Sequence, residues 1–500
     1  MRKVGRGPVS SFAILVSSFF PPISSARPFG SSRSRRAMTR ILLSLLAVCS
    51  VATAQTKPDV LFIAVDDLND WVTHLGGHPQ TKTPNIDRLV ARGTAFTNSH
   101  CAAPACNPSR AALMSGLRPW QTGIYTNNDP AGGVLKDVST INRHFLANGY
   151  NTRGGGKIYH NFNAEGRSDG WTEWAGLFPT INDHDANLNG LERGHFDWGA
   201  VQAKTEDMGD HKSTDWAIHH LKTAPSDKPL FLALGYIKPH LPWYVPQMYY
   251  DRFPLADIQL PVTKEGDLND VPKAGVKMAG PEGDHAAVLK GDQWKKAVQA
   301  YLATISFLDD QVGRLLDGLD ASPRKDKTII VWWTDHGWHL GEKEHWRKFA
   351  LWEEATRTSM AIVAPGVTKP GMRCDAPVDY TNLYPTICEL TGLPVPAHVK
   401  GASLMPLLRD PAAKWDGVAV CTHGKGNHAV RDAQWRYIRY ADGSEELYDH
   451  SKDPYEWTNL AGEVGMSEVK ARLAAVLPQE EIKPTSGGKG DGEKKGKKKK

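Results

Sequence analysis

Cysteine is scarce in this chain, with six residues among 500. The first, Cys49, lies in an N-terminal segment that we expect to be removed, and the remaining five are Cys101, Cys106, Cys374, Cys388 and Cys421. An odd number excludes complete disulfide pairing in an exported protein, so at least one cysteine stays unpaired or is chemically changed. The sequence leaves the pairing of Cys374, Cys388 and Cys421 open.

Acidic residues are missing from the N-terminal end. Residues 1–54 carry eight lysines or arginines and no acid, and residues 487–500 carry seven lysines against one aspartate and one glutamate. The two ends together contribute +13 to a formal net charge of +5, which leaves about −8 for residues 55–486. Basic charge confined to the ends argues against nucleic-acid binding by the core. The lysine-rich segment 483–500 is typical of a disordered, solvated tail.

The apolar run near the N-terminus is too short to span a bilayer, since it covers only residues 41–48. In MTRILLSLLAVCSVATAQ, a basic residue precedes that run and Ala-Thr-Ala follows it, which is typical of a signal peptide. We therefore expect residues 1–54 to be a signal peptide, with Met38 as an alternative start. The mature protein is expected to be periplasmic or secreted, without stable membrane insertion. A lipoprotein site at Cys49 is less favoured because Val48 precedes it.

Four segments share a pattern in which an apolar run ends on polar side chains: DVLFIAVDD, GYNTRGGGKIYH, PLFLALGYIKPH and TIIVWWTDHG. Continuous apolar runs are typical of strands buried on both faces of a parallel sheet. A helical repeat over residues 294–319 lies between the last two, and strand–helix alternation predicts a doubly wound α/β fold. Ligands bind beyond the carboxyl ends of strands in such sheets, so we expect five polar residues to converge: Asp66, Asp67, His240, Asp335 and His336.

A domain boundary is expected at residues 411–415. It separates a catalytic domain over residues 55–412 from a small C-terminal α+β subdomain over residues 413–482. The stretch WRYIRYADGSEELYDHSKDPYEWTNLA alternates like antiparallel strands, and the chain then becomes helical towards Leu477.

Cys106 lies directly before Asn-Pro-Ser-Arg in the stretch CAAPACNPSRAALMSGLRP. Asn107 is a good N-cap, Pro108 suits the first helical position and Gly116 supplies a stop. The pattern therefore predicts a short helix with Cys106 just before its N-terminus.

The positive end of that helix favours a thiolate at Cys106 and equally favours a bound tetrahedral oxyanion. Arg110, one turn further on, adds a fixed cation. A disulfide to Cys101, a zinc site and simple burial of the Cys106 thiol are alternatives that the motif alone leaves open.

The motif resembles the Cys-x-Pro-Ser-Arg signature of the type I, formylglycine-dependent sulfatases. Four further stretches resemble the family's motifs in the same order: VDDLNDW, GGKIYH, GYIKPHLPWYVP and TDHGWHLGEKEHWRKFALWEEATR. The ending ELYDHSKDPYEWTNLA resembles that of the family's C-terminal subdomain. Histidine rather than asparagine after Asp335 is most similar to the iduronate-2-sulfatase-like branch. The resemblance covers nearly the whole mature chain.

The resemblance implies an alkaline-phosphatase-like α/β sandwich, with a large, mostly parallel central sheet flanked by helices and a small C-terminal subdomain with an antiparallel sheet. It also implies one bound Ca²⁺ per chain, a hard cation that prefers carboxylate oxygens. The implied ligands are Asp66, Asp67, Asp335, His336 and the modified Cys106. Because imidazole is an unusual calcium ligand, a supporting or substrate-facing role for His336 is the alternative.

In the family, the cysteine is oxidised to 3-oxoalanine (C-formylglycine) by a formylglycine-generating enzyme. The resemblance implies that Cys106, so modified and hydrated to a gem-diol, attacks sulfur, and that His160 takes the proton of the remaining diol hydroxyl. Arg110, Lys157 and Lys348 then correspond to the cations that neutralise the sulfate, and His240 to the acid that protonates the leaving oxygen. Taken singly, Lys157 and Lys348 would more often be surface charges, but their positions beside the motifs favour a role in the site.

Several further residues are expected to face the substrate because they lie in or beside these motifs: His100, Lys238, Trp243, Tyr244, Glu342, His345 and Trp346.

The resulting prediction is an exported sulfuric ester hydrolase that releases sulfate from a carbohydrate. Its substrate is expected to be a uronic 2-sulfate of the iduronate type or another sulfated polysaccharide or oligosaccharide. The alternatives are a phosphonate or phosphate ester hydrolase of the same superfamily and a non-catalytic protein that binds sulfated glycans.

Overall fold

The computed structural model describes residues 57–160, 169–179 and 186–486. The predicted signal peptide and residues 487–500 of the predicted tail lie outside these ranges. Within them, no helix has the length and apolar character needed to cross a membrane.

Seventeen strands form within the described ranges. In chain order they are β1 (Asp59–Val65), β2 (Thr94–His100), β3 (Asn151–Gly156), β4 (Glu173–Trp174), β5 (Trp198–Val201), β6 (Leu230–Gly235), β7 (Trp243–Pro246), β8 (Thr328–Thr334), β9 (His339–Leu340), β10 (Trp346–Arg347), β11 (Arg357–Val363), β12 (Met372–Cys374), β13 (Val378–Asp379), β14 (Ala419–Thr422), β15 (His428–Arg431), β16 (Trp435–Arg439) and β17 (Glu445–Asp449).

The α-helices of the same ranges are numbered in chain order as well. They are α1 (Pro84–Val90), α2 (Cys106–Ser115), α3 (Pro119–Thr122), α4 (Ala131–Val134), α5 (Ile141–Ala147), α6 (Gly209–Thr223), α7 (Gln247–Tyr250), α8 (Lys273–Ala279), α9 (Asp284–Lys290), α10 (Trp294–Asp320), α11 (Glu353–Thr356), α12 (Leu383–Thr391), α13 (Met405–Arg409) and α14 (Ser467–Ala474).

The central sheet has the strand order β12-β2-β11-β8-β1-β6-β3-β4, and β13 also pairs with β2. The four strands predicted from the apolar runs, β8, β1, β6 and β3, are consecutive neighbours and run parallel. β11 pairs antiparallel with both of its neighbours, β2 and β8. The sheet is therefore mostly parallel, as predicted, with one reversed strand inside it.

Both faces of the sheet are buried, which explains the continuous apolar runs. In β1, Leu61 and Ile63 belong to one hydrophobic core, and Val60 and Phe62 belong to the core on the opposite face. Helix α10 packs in the first core and extends the predicted helical repeat by a single residue at its C-terminal end. The doubly wound architecture predicted from the sequence is confirmed.

The C-terminal part forms a four-stranded antiparallel sheet in the order β14-β15-β16-β17, followed by α14. The antiparallel pattern and the final helix agree with the prediction, while the domain limits themselves stay predictions. Thr485 Oγ1 and the backbone N–H of Ser486 both donate to Asp129 Oδ1, at 2.8 and 2.7 Å. The structured chain therefore extends four residues into the segment 483–500, which was predicted to be disordered.

The five cysteines of the described chain are all free thiols. The closest pair is Cys101 and Cys421, whose sulfur atoms lie 3.7 Å apart. The structure therefore gives no disulfide to Cys101, Cys374, Cys388 or Cys421.

Candidate active site

Strand register brings the predicted site residues together. Val65 of β1 pairs with Thr334 of β8, so the residues that follow them, Asp66 and Asp335, leave the sheet side by side. The ends of β6 and β3 lie next along the same edge, where Gly235 pairs with Gly156. The convergence predicted at the carboxyl ends of these strands is confirmed.

Two glycines allow the ends of β3 and β6 to approach closely. A Cβ on Gly156 would lie 2.0 Å from the carbonyl oxygen of Gly235, and a Cβ on Gly235 would lie 2.2 Å from the carbonyl carbon of Lys157. Gly156 also has a φ of 74°, in the left-handed region that favours glycine. The backbone N–H of Lys157 then donates to the carbonyl of Gly235 at 2.9 Å, which directs the Lys157 side chain over the edge of the sheet.

Cys106 is the first residue of α2, which ends at Gly116 with a φ of 70°, as the predicted stop requires. The predicted N-cap is wrong: Ala105 occupies that position, and Asn107 lies inside the first turn. The side-chain amide of Asn107 instead donates to the carbonyls of Thr126 and Asp129 at 3.0 and 2.9 Å. The Asn107 side chain, which was predicted to cap the helix, therefore forms a tertiary contact instead.

Two lysines and a histidine surround the sulfur of Cys106. Lys348 Nζ lies 3.0 Å from Cys106 Sγ, His336 Nε2 lies at 3.4 Å and Lys157 Nζ at 3.8 Å. Burial raises the pKa of the thiol far above its usual range, and the charge of Asp66 adds to this effect. Unmodified Cys106 is therefore a protonated thiol at neutral pH, which argues against a catalytic thiolate.

Three carboxylates, those of Asp66, Asp67 and Asp335, lie behind these cations. Lys157 pairs with Asp66, and Lys348 Nζ donates to Asp67 Oδ1 at 2.6 Å. Burial alone would raise the pKa of Asp66, but Lys157, His240 and Arg110 outweigh it and hold that pKa well below its usual value. Burial raises the pKa of Asp67 to about 6, against the opposing effect of Lys348.

Asp67 is held in an unusual backbone conformation, with a φ of 61°. The Tyr301 hydroxyl of α10 donates to the carbonyl of Asp67 at 2.7 Å, and the backbone N–H of Asp67 donates to Asp335 Oδ1 at 3.1 Å. Among the residues that the structure describes, Asp67 Oδ2 is buried without a hydrogen-bond partner, with His240 Nε2 3.8 Å away. These contacts fix the Asp67 carboxylate and leave one of its oxygens available to a ligand.

Arg110 does not lie where a sulfate-binding cation was expected. Its guanidinium is fully buried, Nε donates to Asp335 Oδ2 at 2.8 Å and Nη2 contacts Asp66 Oδ1 at 3.3 Å. Nη1 donates to the carbonyl of Lys157. Because carboxylates and carbonyls occupy its donors, Arg110 positions the site from behind rather than facing a substrate.

Three histidines lie around the cluster. His336 Nδ1 is 3.0 Å from the carbonyl of Gly337, which makes Nδ1 the protonated nitrogen and turns the Nε2 lone pair towards Asp67 and Asp335, both at 3.5 Å. Burial lowers the pKa of His336 to about 4 and, with Lys157 and Lys348, that of His160 to about 2. Both rings are therefore neutral.

His240 is partly exposed, with 28% of its side chain accessible. Its Nδ1 is hydrogen-bonded to the carbonyl of Leu241, so Nε2 faces the cluster. Burial and the charge of Lys157 hold its pKa well below the usual range.

The residues predicted to face the substrate are dispersed. Trp243 is buried in the core, where it stacks on Trp198 and contacts Tyr301. His100 hydrogen-bonds to Asn98 at 2.8 Å and is buried beside Glu353. The interpretation of Trp243 and His100 as substrate-facing is therefore wrong.

Three more residues that were predicted to face the substrate use their side chains to hold loops in place. Glu342 accepts the backbone N–H of Leu340 and has its pKa raised to about 7 by burial. Tyr244 donates to Asp197, and Lys238 Nζ donates to the carbonyl of Pro242. Their side chains serve loop structure in this arrangement.

His345 and Trp346 differ from that group, because both line a cavity beside the Cys106 cluster. His345 also holds the segment that carries Lys348, since its Nε2 lies 2.7 Å from the Lys348 carbonyl. Arg347 and Phe349, the residues on either side of Lys348, have φ angles of 77° and 74°.

The sequence did not predict two residues that hold the backbone of the site in place through hydrogen bonds. Asp210, at the start of α6, accepts the backbone N–H groups of Ile237 and Lys238 at 2.9 and 2.8 Å and thereby fixes the loop that carries His240. Ser109 donates to the carbonyl of Asp335 at 2.5 Å. The position of Asp210 at a helix start is a local signal, but nothing local connects it to a loop 27 residues away.

A mostly parallel sheet between two cores, with carboxylates, lysines and histidines at the carboxyl ends of its strands, is the alkaline-phosphatase-like α/β fold that was predicted. The sulfatase family model matches residues 58–393, and a model described as the C-terminal part of N-sulphoglucosamine sulphohydrolase matches residues 341–483. The chain belongs to the sulfatase family and is a sulfuric ester hydrolase. The predicted family resemblance is confirmed.

Relatives and solved structures agree with this assignment. A sulfatase of Formosa agariphila is 40% identical over 444 residues, which cover 85% of this chain and 87% of that protein. Mouse iduronate 2-sulfatase is 30% identical over 403 residues, covering 70% and 72% of the two chains. A structure solved in complex with its substrate D-glucosamine-2-N,6-O-disulfate matches with a TM-score of 0.70 and 20% identity, covering 84% of this chain and 97% of that one.

Proposed function

We propose that this protein is an exported, calcium-dependent sulfatase that removes sulfate from a sulfated carbohydrate, with formylglycine formed from Cys106 as the nucleophile. The observation that carries this proposal is the position of Cys106 Sγ, 3.0 Å from Lys348 and 3.8 Å from Lys157, in front of a buried carboxylate cluster. Two lysine ammonium groups beside one side chain suit a substrate whose reacting group is an anion.

The carboxylate cluster fits a hard divalent cation. Ligand atoms of Asp66, Cys106, Asp335 and His336 lie within 4.8 Å of one another, and Asp67 joins Asp66 and Cys106 in an overlapping group. The buried Asp67 Oδ2 without a hydrogen-bond partner is an oxygen that a Ca²⁺ ion would satisfy. When bound there, calcium would act as a Lewis acid on oxygen atoms of the nucleophile and of the sulfate.

Charge balance supports the same assignment. The three carboxylates are matched by three cations, those of Arg110, Lys157 and Lys348. A divalent ion would therefore leave the site with a net charge of +2, which a bound sulfate ester would reduce to +1 and the released sulfate dianion would cancel. The site favours an anionic substrate and an anionic product once the metal is bound.

Formylglycine in place of Cys106 would supply a hydrated aldehyde whose hydroxyl attacks sulfur. The chain's own residues bind and orient the reactants around it. Lys157 and Lys348 hold the sulfate oxygens, while Arg110 keeps the carboxylates of Asp66 and Asp335 in place. His336 Nε2 lies 3.4 Å from Cys106 Sγ and completes the set of side chains around it.

Proton transfers fall to two histidines. His240 Nε2 faces the cluster from its open side and is the group that protonates the leaving sugar oxygen. A bound sulfate ester adds negative charge and therefore raises the pKa of His240 towards the range where the ring holds this proton. His160 is proposed as the base that takes a proton from the nucleophile, because its buried Nδ1 has no hydrogen-bond partner among the described residues. By themselves, burial, Lys157 and Lys348 make it a weak base, and a bound anion would offset the two lysine charges and raise its pKa.

The substrate is proposed to be a sulfated glycan, because relatives with named substrates include iduronate 2-sulfatase. Export is proposed from the signal-peptide pattern of residues 1–54. Maturation then requires a formylglycine-generating enzyme as a partner.

A substrate panel tests this function. Sulfate release is measured over defined sulfated oligosaccharides, and matched phosphate and phosphonate esters are assayed in parallel. We expect turnover of at least one sulfated oligosaccharide, and loss of about 10³-fold or more in Cys106→Ala. Cys101→Ala is the matched control, since it removes a nearby buried thiol outside the site. Faster turnover of the phosphonate or phosphate esters would assign the alternative hydrolase activity instead.

Metal removal tests the calcium site. Dialysis against EGTA should lower both the rate of sulfate release and the melting temperature, and added Ca²⁺ should restore them, because the ion stabilises the form that binds it. Full activity and an unchanged melting temperature after chelation would exclude a calcium requirement.

A further inference from the structure

A cavity of about 850 Å³ lies beside the Cys106 cluster and contains charged side chains to which the reaction described above gives no role. Its wall includes Arg347 and Phe349, the two chain neighbours of Lys348. Since consecutive Cα atoms are about 3.8 Å apart, the cavity begins within one residue of a cation that touches Cys106 Sγ. Two residues of the wall also contact the chain on either side of Cys106: the Phe349 backbone N–H donates to the Pro104 carbonyl at 3.0 Å, and Asn127 Oδ1 accepts the backbone N–H of Asn107 at 2.9 Å.

Two arginines in the wall share one carboxylate. Arg193 Nε donates to Asp284 Oδ1 at 2.7 Å, and Arg347 Nε donates to Asp284 Oδ2 at 2.5 Å. The two arginine side chains are 39% and 30% exposed. Within the described ranges, both guanidiniums form hydrogen bonds through Nε alone, so their Nη groups keep donors for a ligand. The three side chains together carry a net charge of +1.

The backbone on either side of Lys348 is strained, and the contacts that hold it there also orient the Arg347 side chain. Arg347 and Phe349 both occupy the left-handed region, which non-glycine residues adopt at a cost in energy. The carboxylate of Asp284 and the ring of Phe196, whose centroid is 4.6 Å from Arg347 Cζ, hold the Arg347 guanidinium. Conformations of this kind persist where surrounding contacts enforce them, and they are frequent at ligand clamps.

We propose that Arg193 and Arg347 form a second anion site, which binds a carboxylate or a further sulfate group on the same glycan as the scissile sulfate ester. This inference rests on the proposed function and names its substrate class, a sulfated glycan with at least one additional oxyanion. Guanidinium groups bind carboxylate and sulfate oxygens through paired, charge-assisted hydrogen bonds, whereas a neutral sugar offers only weaker ones.

The test uses three forms of the best substrate from the oligosaccharide panel: unmodified, carboxyl-reduced, and desulfated at every position except the scissile one. We expect the wild-type protein to prefer the unmodified form over at least one of the others. Arg193→Gln and Arg347→Gln should each lower that preference roughly 10- to 100-fold, mainly through KM. Preference over the carboxyl-reduced form identifies a carboxylate as the ligand, and preference over the desulfated form identifies a second sulfate.

Arg92→Gln is the matched control, because Arg92 also pairs with one aspartate, Asp320, but on the surface formed by α10. It should keep the wild-type preference. Two results would overturn the second anion site: no wild-type preference among the three forms, or equal losses of kcat/KM on all three forms in the Arg193 and Arg347 variants. Equal losses would indicate a role in folding alone.

A binding measurement separates this inference from the proposed function. If the wild-type protein releases sulfate from no member of the panel, the proposed function fails. Calorimetry with a heparin tetrasaccharide still tests the second anion site in that case. We expect the wild-type protein and R92Q to bind this tetrasaccharide at least about tenfold more tightly than the R193Q/R347Q double variant. Equal affinities would overturn the second anion site whatever the catalytic result.

Discussion

Neighbouring charges and burial act in opposite directions on the pKa of the Cys106 thiol. Lys348 and Lys157 would lower the pKa of the Cys106 thiol, but burial and the Asp66 carboxylate raise it further. An unmodified thiol held in this way is protonated and a weak nucleophile. This raised pKa supports the proposal that Cys106 acts in a chemically converted form and not as a thiolate.

Mass spectrometry of one tryptic peptide tests that conversion. The peptide over residues 93–110, GTAFTNSHCAAPACNPSR, contains Cys101 as well as Cys106. In protein denatured and treated with iodoacetamide, we expect a single alkylated cysteine, at Cys101, and an aldehyde or its hydrate at position 106. Alkylation of both cysteines in catalytically active protein would show that the thiol itself is the functional group.

Glu342 offers a pH-dependent test of stability. Burial raises its pKa to about 7 in the folded protein, from 4.5 for an unperturbed glutamate, so the folded state binds the proton more tightly than the unfolded state. The free energy of unfolding should therefore fall as pH rises from about 4.5 to above 7, by at most roughly 3 kcal/mol from this group. In Glu342→Gln, urea unfolding at pH 5 and pH 8 should show a smaller decrease. The same decrease in both proteins would exclude Glu342 as the titrating group.

Which residues form the cluster could be predicted from the sequence, but their individual roles could not. Asp66, Asp67, Asp335 and His336 follow strands whose apolar pattern is local, so their convergence followed from topology. Arg110 had the right charge for sulfate binding, but its donors are occupied by groups that are distant in sequence.

Substrate-facing residues were the least predictable. Trp243 and His100 were expected to face the substrate because they lie in or beside the family motifs, but a position in a motif does not distinguish a core side chain from one that lines a pocket.

At the scale of secondary structure, the contact between β3 and β6 determines where Lys157 points. Gly235→Ala would place a methyl group 2.2 Å from the Lys157 carbonyl carbon, so the strand ends would have to separate. We expect a loss of about 1–3 kcal/mol in the free energy of unfolding and a lower rate of sulfate release. Urea unfolding and sulfate assays measure both effects.

Gly133→Ala is the control for this change. A Cβ at Gly133 would have no heavy atom within 4 Å, so neither stability nor activity should fall. Wild-type behaviour of Gly235→Ala would show that the strand ends can separate without moving Lys157.

The strands and the helix that were predicted correctly have strong local sequence patterns. The features that were missed depend on which strands pair with each other in the sheet. β1, β3, β6 and β8 are recognisable as buried strands from their apolar runs, and α10 from its helical repeat. The reversed direction of β11 depends on its connection to β8 around the Lys348 loop, which no local pattern encodes.

At the scale of the whole molecule, a buried ion network joins the C-terminal sheet to the catalytic core. Arg436 of β16 is 1% exposed, pairs with Glu353 of α11 and lies 2.5 Å from Glu456 Oε1. Arg436→Met would remove the cation that joins these two buried carboxylates and leave Glu353 with Arg431 at 3.6 Å and Glu456 with His450 at 2.9 Å. We expect it to lower the free energy of unfolding by about 3–5 kcal/mol.

Lys452→Met is the matched control, since Lys452 is 82% exposed and pairs with Asp449 at 3.4 Å on the surface. Its effect on urea unfolding should stay within about 0.5 kcal/mol. An Arg436 variant no less stable than this control would show that the network contributes nothing to joining the two parts.

The burial of Cys106 also sets an order of events in the life of the protein. Its side chain has no accessible surface, and α2 is buried along its whole length. A modifying enzyme would have to bind the backbone around Cys106 as well as its side chain, and this backbone lies in a helix that is buried along its whole length. We therefore expect the proposed modification to take place on the nascent or unfolded chain. Every molecule that folds first would be trapped as inactive thiol protein. The specific activity of a preparation would then report how modification and folding competed during synthesis, as well as the quality of the site.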